Sequence, residues 1–143
     1  MSRRSILLTL SAALFLILPL LSLPARALTA DDPKPKTISL TIDYSDGFQK
    51  RYTALPWKEN MTVMDALDAA KAHPRPITYE SSGAGKNAFV KKIDDLTNQG
   101  GEGDKKNWLY TVNKKFADKS AGVWTLNPGD DILWHFGPYE WRE

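Results

Sequence analysis

The chain has 143 residues, no cysteine, five tryptophans and a formal net charge of +2. Lack of cysteine excludes a disulfide framework, a thiolate zinc site, a Cys-x-x-Cys redox centre, a cysteine nucleophile and a lipoprotein anchor. Arg3, Arg4 and Arg26 are the charged residues of the first 27 positions, so the remainder carries 16 basic against 17 acidic residues, or −1. The basicity belongs to the leader, and the rest of the chain offers no electrostatic footprint for nucleic acid.

Met1 to Arg4 is a short basic start, Ile6 to Leu23 is an apolar run, and Ala25-Arg26-Ala27 places small residues where a signal peptidase reads them. This three-part pattern is that of a secretory signal over residues 1–27, with a mature start at Leu28 and an exported, periplasmic or extracellular product. Uncleaved, the run of 18 residues is long enough to act as a membrane anchor. Ser2-Arg3-Arg4-Ser5-Ile6-Leu7 also resembles a twin-arginine signal, although the greasy middle suits the general secretory route better. Residues 28–36 are polar, with Pro33 and Pro35, and read as an extended tether.

Residues 37–143 are expected to form one domain, long enough for a single core. Ile38, Leu40, Ile42 and Tyr44 alternate with polar residues, which predicts a strand with one buried face. Ser45-Asp46-Gly47 signals a turn, and Phe48 to Leu55 an antiparallel return. Thr62, with Asp65 three residues on, caps a helix whose apolar positions include Val63, Leu67 and Ala70. Pro74 and Pro76 prevent its continuation past His73. Beyond it, strands are expected over Ile77–Glu80, Ala88–Ile93, Trp108–Val112, Val123–Leu126 and Ile132–Phe136, with a flexible loop from Asn98 to Asn107. One helix against a mixed sheet makes an α+β, β-grasp-like fold.

Chemistry-bearing patterns are sparse. Gly83-Ala84-Gly85-Lys86-Asn87 lacks both the first glycine of a phosphate-binding loop (Glu80 stands there) and the Ser or Thr that would hold magnesium. Asp94, Asp95, Glu102 and Asp104 flank the glycine-rich loop without EF-hand spacing, and read as a solvated acidic loop. His73 and His135 belong to no metal-ligand pattern, and no Gly-x-Ser-x-Gly elbow exists for a serine nucleophile. No pair of carboxylates stands out for glycoside chemistry, which makes a carboxylate-dependent polysaccharide hydrolase the weakest reading.

The aromatics are the unusual feature. Trp108, Trp124, Trp134 and Trp141 fall in the last 36 residues, with Tyr110, Phe116, Phe136 and Tyr139. Trp108 and Trp134 read as core, while Trp124, Tyr139 and Trp141 stand near strand ends, where an aromatic offers a flat face to a ligand or partner.

The run Asn107-Trp108-Leu109-Tyr110-Thr111-Val112-Asn113, then Ala121-Gly122, then Leu126-Asn127-Pro128-Gly129-Asp130-Asp131-Ile132-Leu133-Trp134-His135-Phe136, resembles the DUF4430 family. This domain is similar to the C-terminal β-domain of transcobalamin and intrinsic factor. Thr62-Val63-Met64-Asp65-Ala66-Leu67 and Phe89-Val90-Lys91-Lys92-Ile93-Asp94 match in the same order. The resemblance implies a β-grasp-like fold and an exported, non-enzymatic binding module. Its implied ligand is cobalamin, a related tetrapyrrole or another planar molecule. In the vertebrate relatives the domain closes over one face of cobalamin as the smaller half of a two-domain carrier, so a lone domain is expected to grip such a ligand poorly unless a partner completes the site. The expected surface comprises Trp124, Tyr139 and Trp141, with Asn107, Asn113 and the loop from Gly100. Another exported protein is the second expected occupant, in which case the fold serves as a structural adaptor. Lys114 departs from the family pattern, which has Gly after the turn Asn, and so suggests a looser loop through Lys115.

Overall fold

The computed structural model describes residues 34–101 and 103–139. The expected signal peptide, most of the tether and Trp141 lie outside the described residues. Chain order is β1 (Thr37–Asp43), β2 (Gln49–Pro56), α1 (Val63–Lys71), β3 (Tyr79–Ser82), a 3-10 turn (Gly85–Asn87), β4 (Phe89–Ile93), β5 (Leu96–Thr97), β6 (Asn107–Val112), β7 (Lys115–Phe116) and β8 (Asp131–Gly137). Five strands form one sheet in the order β2-β1-β8-β6-β7, and β3-β4-β5 form a second. β8 runs parallel to β1 and antiparallel to β6. The fold is α+β and β-grasp-like.

Period-two patterning builds the core. Leu40 lies opposite Ile132 and Ile42 opposite Trp134. Trp134 in turn lies opposite Tyr110, and Phe136 opposite Trp108. Side chains in register share one face, so these residues form a continuous apolar surface. Val63, Ala66, Leu67 and Ala70 of α1 are buried in the same cluster. Trp108 and Trp134 are therefore core residues, as the alternation predicts.

The helix begins with a capping box: Thr62 Oγ1 accepts from Asp65 N–H, and the Asp65 carboxylate accepts from Thr62 N–H. Val63 N–H donates to Trp124 O and Met64 N–H to Ala121 O, which satisfies donors that a helix start leaves open. This corrects the strand expected over Val123–Leu126. The segment is a turn with a lone bridge between Thr62 and Thr125, because its Trp124 carbonyl caps the helix and its Leu126 carbonyl takes the Trp57 indole N–H instead of joining a sheet.

The expected loose loop after Asn113 is also corrected. Asn113 and Lys114 both adopt the left-handed region (φ 51° and 66°), and Val112 pairs with Lys115, so the β6–β7 turn is a tight two-residue one. Asn113 holds it closed: its Nδ2 donates to Asp130 Oδ1 at 2.8 Å and its Oδ1 accepts from Asp131 N–H at 2.9 Å. These bonds outweigh the strain of a left-handed lysine.

Asp94 joins the two sheets. Its carboxylate accepts from Tyr44 Oη at 2.5 Å, Lys50 Nζ at 2.9 Å and Thr78 N–H at 2.8 Å. It is thus a structural hub rather than part of a solvated acidic loop. Burial pulls the Asp94 carboxyl pKa upward, but the Tyr44 hydroxyl, the Thr78 amide and Lys50 outweigh it and hold the pKa below the ordinary 3.8. Burial and the same carboxylate push the Tyr44 phenol well above its ordinary value, so Tyr44 remains a donor.

Two outcomes follow. Lys114→Gly raises stability by roughly 0.5–1 kcal/mol in urea denaturation, because relief of about 1–2 kcal/mol of left-handed strain exceeds the entropy glycine adds to the unfolded chain. Asp94→Asn lowers stability at pH 7 by about 2 kcal/mol, the range for hydrogen bonds to a charged group. A carboxyl with a depressed folded pKa contributes fully above its unfolded pKa and loses that contribution as pH falls through the folded one. Wild-type stability therefore drops on acidification below 3.8, and denaturation between pH 5 and 2 shows a shallower drop in the variant.

Candidate functional site

All six residues of β6 are buried, yet two thirds of one strand edge has no strand beside it. β7 pairs only with Thr111 and Val112, whereas β8 pairs along the whole of the other edge. From Asn107 to Tyr110 this edge is met by side chains and by one backbone bond, from Ala117 N–H to Tyr110 O at 3.2 Å. Asn98 Oδ1 accepts from Trp108 N–H at 2.7 Å while its Nδ2 donates to Val90 O at 2.9 Å. Trp108 Nε1 donates to Leu96 O at 2.8 Å, and the Ser120 hydroxyl lies 2.7 Å from Ala88 O. These bonds hold β4 and the 117–121 segment beside β6 without closing the gap.

The gap is a cleft of about 180 Å³ whose wall includes Phe89, Trp108, Tyr110, Phe116, Trp134 and Tyr139. Trp108, Tyr110 and Trp134 belong to the buried core, while Phe89 is 53% and Tyr139 39% exposed. Tyr110 and Trp134 rings pack 4.9 Å apart. Burial pushes the Tyr110 phenol pKa up, and its hydroxyl donates to Lys119 O at 2.7 Å. A surface of this kind offers flat apolar area with a polar rim, suited to a small ring.

The residues expected to form one surface are dispersed. Tyr139 and Asn107 line the cleft. Asn107 is buried and clips the glycine-rich loop, accepting from Gly100 N–H at 2.9 Å. Asn113 sits at the opposite end of β6, about 17–20 Å along the strand, and its side chain is spent on Asp130 and Asp131. Trp124 is half-buried, edge-on to Tyr110, with the Lys119 ammonium 5.1 Å over its ring; it does not line the cleft. Gln99 and Lys106 close the loop on itself through Gln99 N–H to Lys106 O at 2.9 Å. Sequence reasoning missed Phe89 and Phe116. The outward position of Phe89 beside buried Val90 is the signal that could have marked it.

A second cluster was also not foreseen. Asp43, Ser45 and His135 meet where the β1–β2 turn crosses β8. His135 Nδ1 lies 3.4 Å from Asp43 Oδ2, and Ser45 Oγ lies 3.4 Å from both ring nitrogens. These are the residue types of a nucleophilic triad without its geometry. Ser45 Oγ donates to Phe136 O at 2.6 Å, and its equal distance from both nitrogens aligns it with neither. Burial raises the Asp43 pKa, but Ser45 N–H, Gln49 and His135 outweigh it and leave it lowered. The cluster clasps the turn to β8.

Comparison with curated proteins returns no match. Among solved structures, the crystal structure of a "putative metal binding protein" from Ruminococcus gnavus ATCC 29149 is similar, with a TM-score of 0.54 and 13% sequence identity, over 72% of this chain and 97% of that one. At that identity the likeness concerns the fold. Among the described residues no three His, Asp or Glu side chains gather so as to hold a metal ion. The family model of a domain of unknown function, DUF4430, matches residues 60–137, which is more than half of the chain. Its match spans α1 through β8, with the helix, the central strand and all of the cleft wall but Tyr139, and the chain belongs to the DUF4430 family.

Proposed function

We propose that the chain is an exported, non-enzymatic binding module that receives the ring of a small planar ligand in the cleft along β6. The observation that carries this reading is an aromatic wall left open at a sheet edge, with Phe89 and Tyr139 exposed beside it. Buried aromatics explain a core; exposed ones bordering a cleft favour contact with something else. The clasp geometry of Asp43, Ser45 and His135 supports a non-enzymatic role. Export rests on the leader, residues 1–27, and on its Ala25-Arg26-Ala27 cleavage pattern. Among the described residues no helix is long and apolar enough to cross a membrane.

The cleft, at about 180 Å³, is smaller than the roughly 300–1,000 Å³ of sites that enclose a drug-sized ligand. A cobalamin-like or other tetrapyrrole ligand is therefore held by one edge, with a second domain or another exported protein covering the rest. A single-ring ligand fits without help.

Mass spectrometry of the protein recovered from culture medium or periplasm finds an N-terminus at Leu28; recovery of Met1 in the membrane fraction overturns cleavage and makes the leader an anchor. Tryptophan-fluorescence titration with cobalamin and with a free porphyrin gives saturable quenching below millimolar concentration. Phe89→Ala with Tyr139→Ala weakens it about tenfold, as loss of two aromatic contacts demands. Quenching no greater than the inner-filter effect rejects tetrapyrroles as ligands.

A further inference from the structure

One residue that lines the cleft carries a polar atom left unanswered by the fold. Trp134 is 3% exposed, and its indole N–H is, among the described residues, the one buried side-chain nitrogen or oxygen without a hydrogen-bond partner. A buried donor left unpaired is destabilising and calls for an explanation. The adjacent Tyr110 ring does not take it: the two ring planes are tilted by only 36°. An indole N–H lies in its own ring plane and meets a neighbour's π face only when the planes stand near perpendicular.

The other polar side chains of the wall are engaged. Asn98 bonds Val90 O and Trp108 N–H. Asn107 bonds Gly100 N–H and Lys105 O. Ser120 Oγ reaches Ala88 O and accepts from Gly122 N–H. The Lys119 ammonium lies over Trp124. Among the described residues the wall thus offers aromatic surface and one buried donor without a partner, the Trp134 indole N–H. A sugar ring would bury several hydroxyls with too few partners. A flat ring with a single acceptor matches the wall in shape and in hydrogen bonding.

We infer that the cleft selects an uncharged heteroaromatic ring that presents one hydrogen-bond acceptor to Trp134 Nε1. This rests on the cleft being the ligand site. Because the N–H is screened from solvent, entry requires a wall side chain to swing aside, and Phe89 and Tyr139 are the exposed ones.

The test uses two probes of the same shape, quinoline, which carries a ring-nitrogen acceptor, and naphthalene, which carries none. Indole N–H cross-peaks of the ¹⁵N-labelled mature protein are followed by NMR at pH 7.5. Quinoline is expected to shift the Trp134 cross-peak and to bind about tenfold tighter than naphthalene, a difference of about 1.4 kcal/mol. Trp134→Phe is expected to equalise the two probes. Should that variant fail to fold, the Trp134 cross-peak of the wild-type protein, assigned through its backbone, decides alone. Equal binding of both probes, abolished by Phe89→Ala with Tyr139→Ala, overturns the acceptor preference and leaves the cleft as a ring site. Binding of neither probe overturns the inference and the cleft reading together.

Discussion

The insertion of β8 between β1 and β6 is the constraint on which the rest of this domain depends. The strand closest to the C-terminus lies in the middle of the sheet, parallel to the first strand and antiparallel to β6. Such non-local pairing carries the full loop-closure cost and becomes favourable only when much apolar surface is buried with it. Ile132, Trp134 and Phe136 supply that surface: all three are buried, the first two in register with both neighbours and Phe136 opposite Trp108 of β6. With no cysteine in the chain, nothing covalent shares this task. Both ends of β8 are held by polar clasps: Asn113 binds Asp130 and Asp131 at the start, and Ser45, Asp43 and His135 meet towards its end.

The cleft is a consequence of mismatched strand lengths in the same sheet. β6 has six residues and β7 only two, so a four-residue stretch of edge lies open on the side away from β8. Asn98 and Trp108 bridge that stretch with side-chain bonds, and Ser120 ties the facing segment to the carbonyls of Gly85 and Ala88. Trp134 faces the core because of its register with Ile42 and Tyr110, and the same register brings its indole into the cleft wall. Core packing and candidate binding surface are two uses of one aromatic cluster.

What could be read from individual residues was local. Alternation marked β1, β6 and β8; Thr62 and Asp65 marked the helix start; Pro74 and Pro76 marked its limit. The short pairs β5 and β7 have no pattern of their own, since two residues cannot show a period, and they exist through hairpin partners. Val123–Leu126 has strand-like residues, yet its Trp124 carbonyl serves the helix start. Among the expected site residues, Asn107 and Tyr139 reach the cleft, while Asn113 and Trp124 are engaged elsewhere. An aromatic or an amide near a strand end carries no mark of whether its partner is a ligand or a neighbouring backbone group.

The sequence by itself determined the family, the order of the main elements and which tryptophans enter the core, because these depend on short-range periodicity and on motif residues close together in the chain. Tertiary structure alone decided where the polar groups find partners. Asp94 became an inter-sheet hub through Tyr44, 50 positions away, and Ser45 met His135 across 90. The cleft, too, is assembled from segments distant in sequence. Hydrogen bonding is directional and short-ranged, so a residue's role in it follows from which strand lies beside which, and that is set by the packing of the whole core.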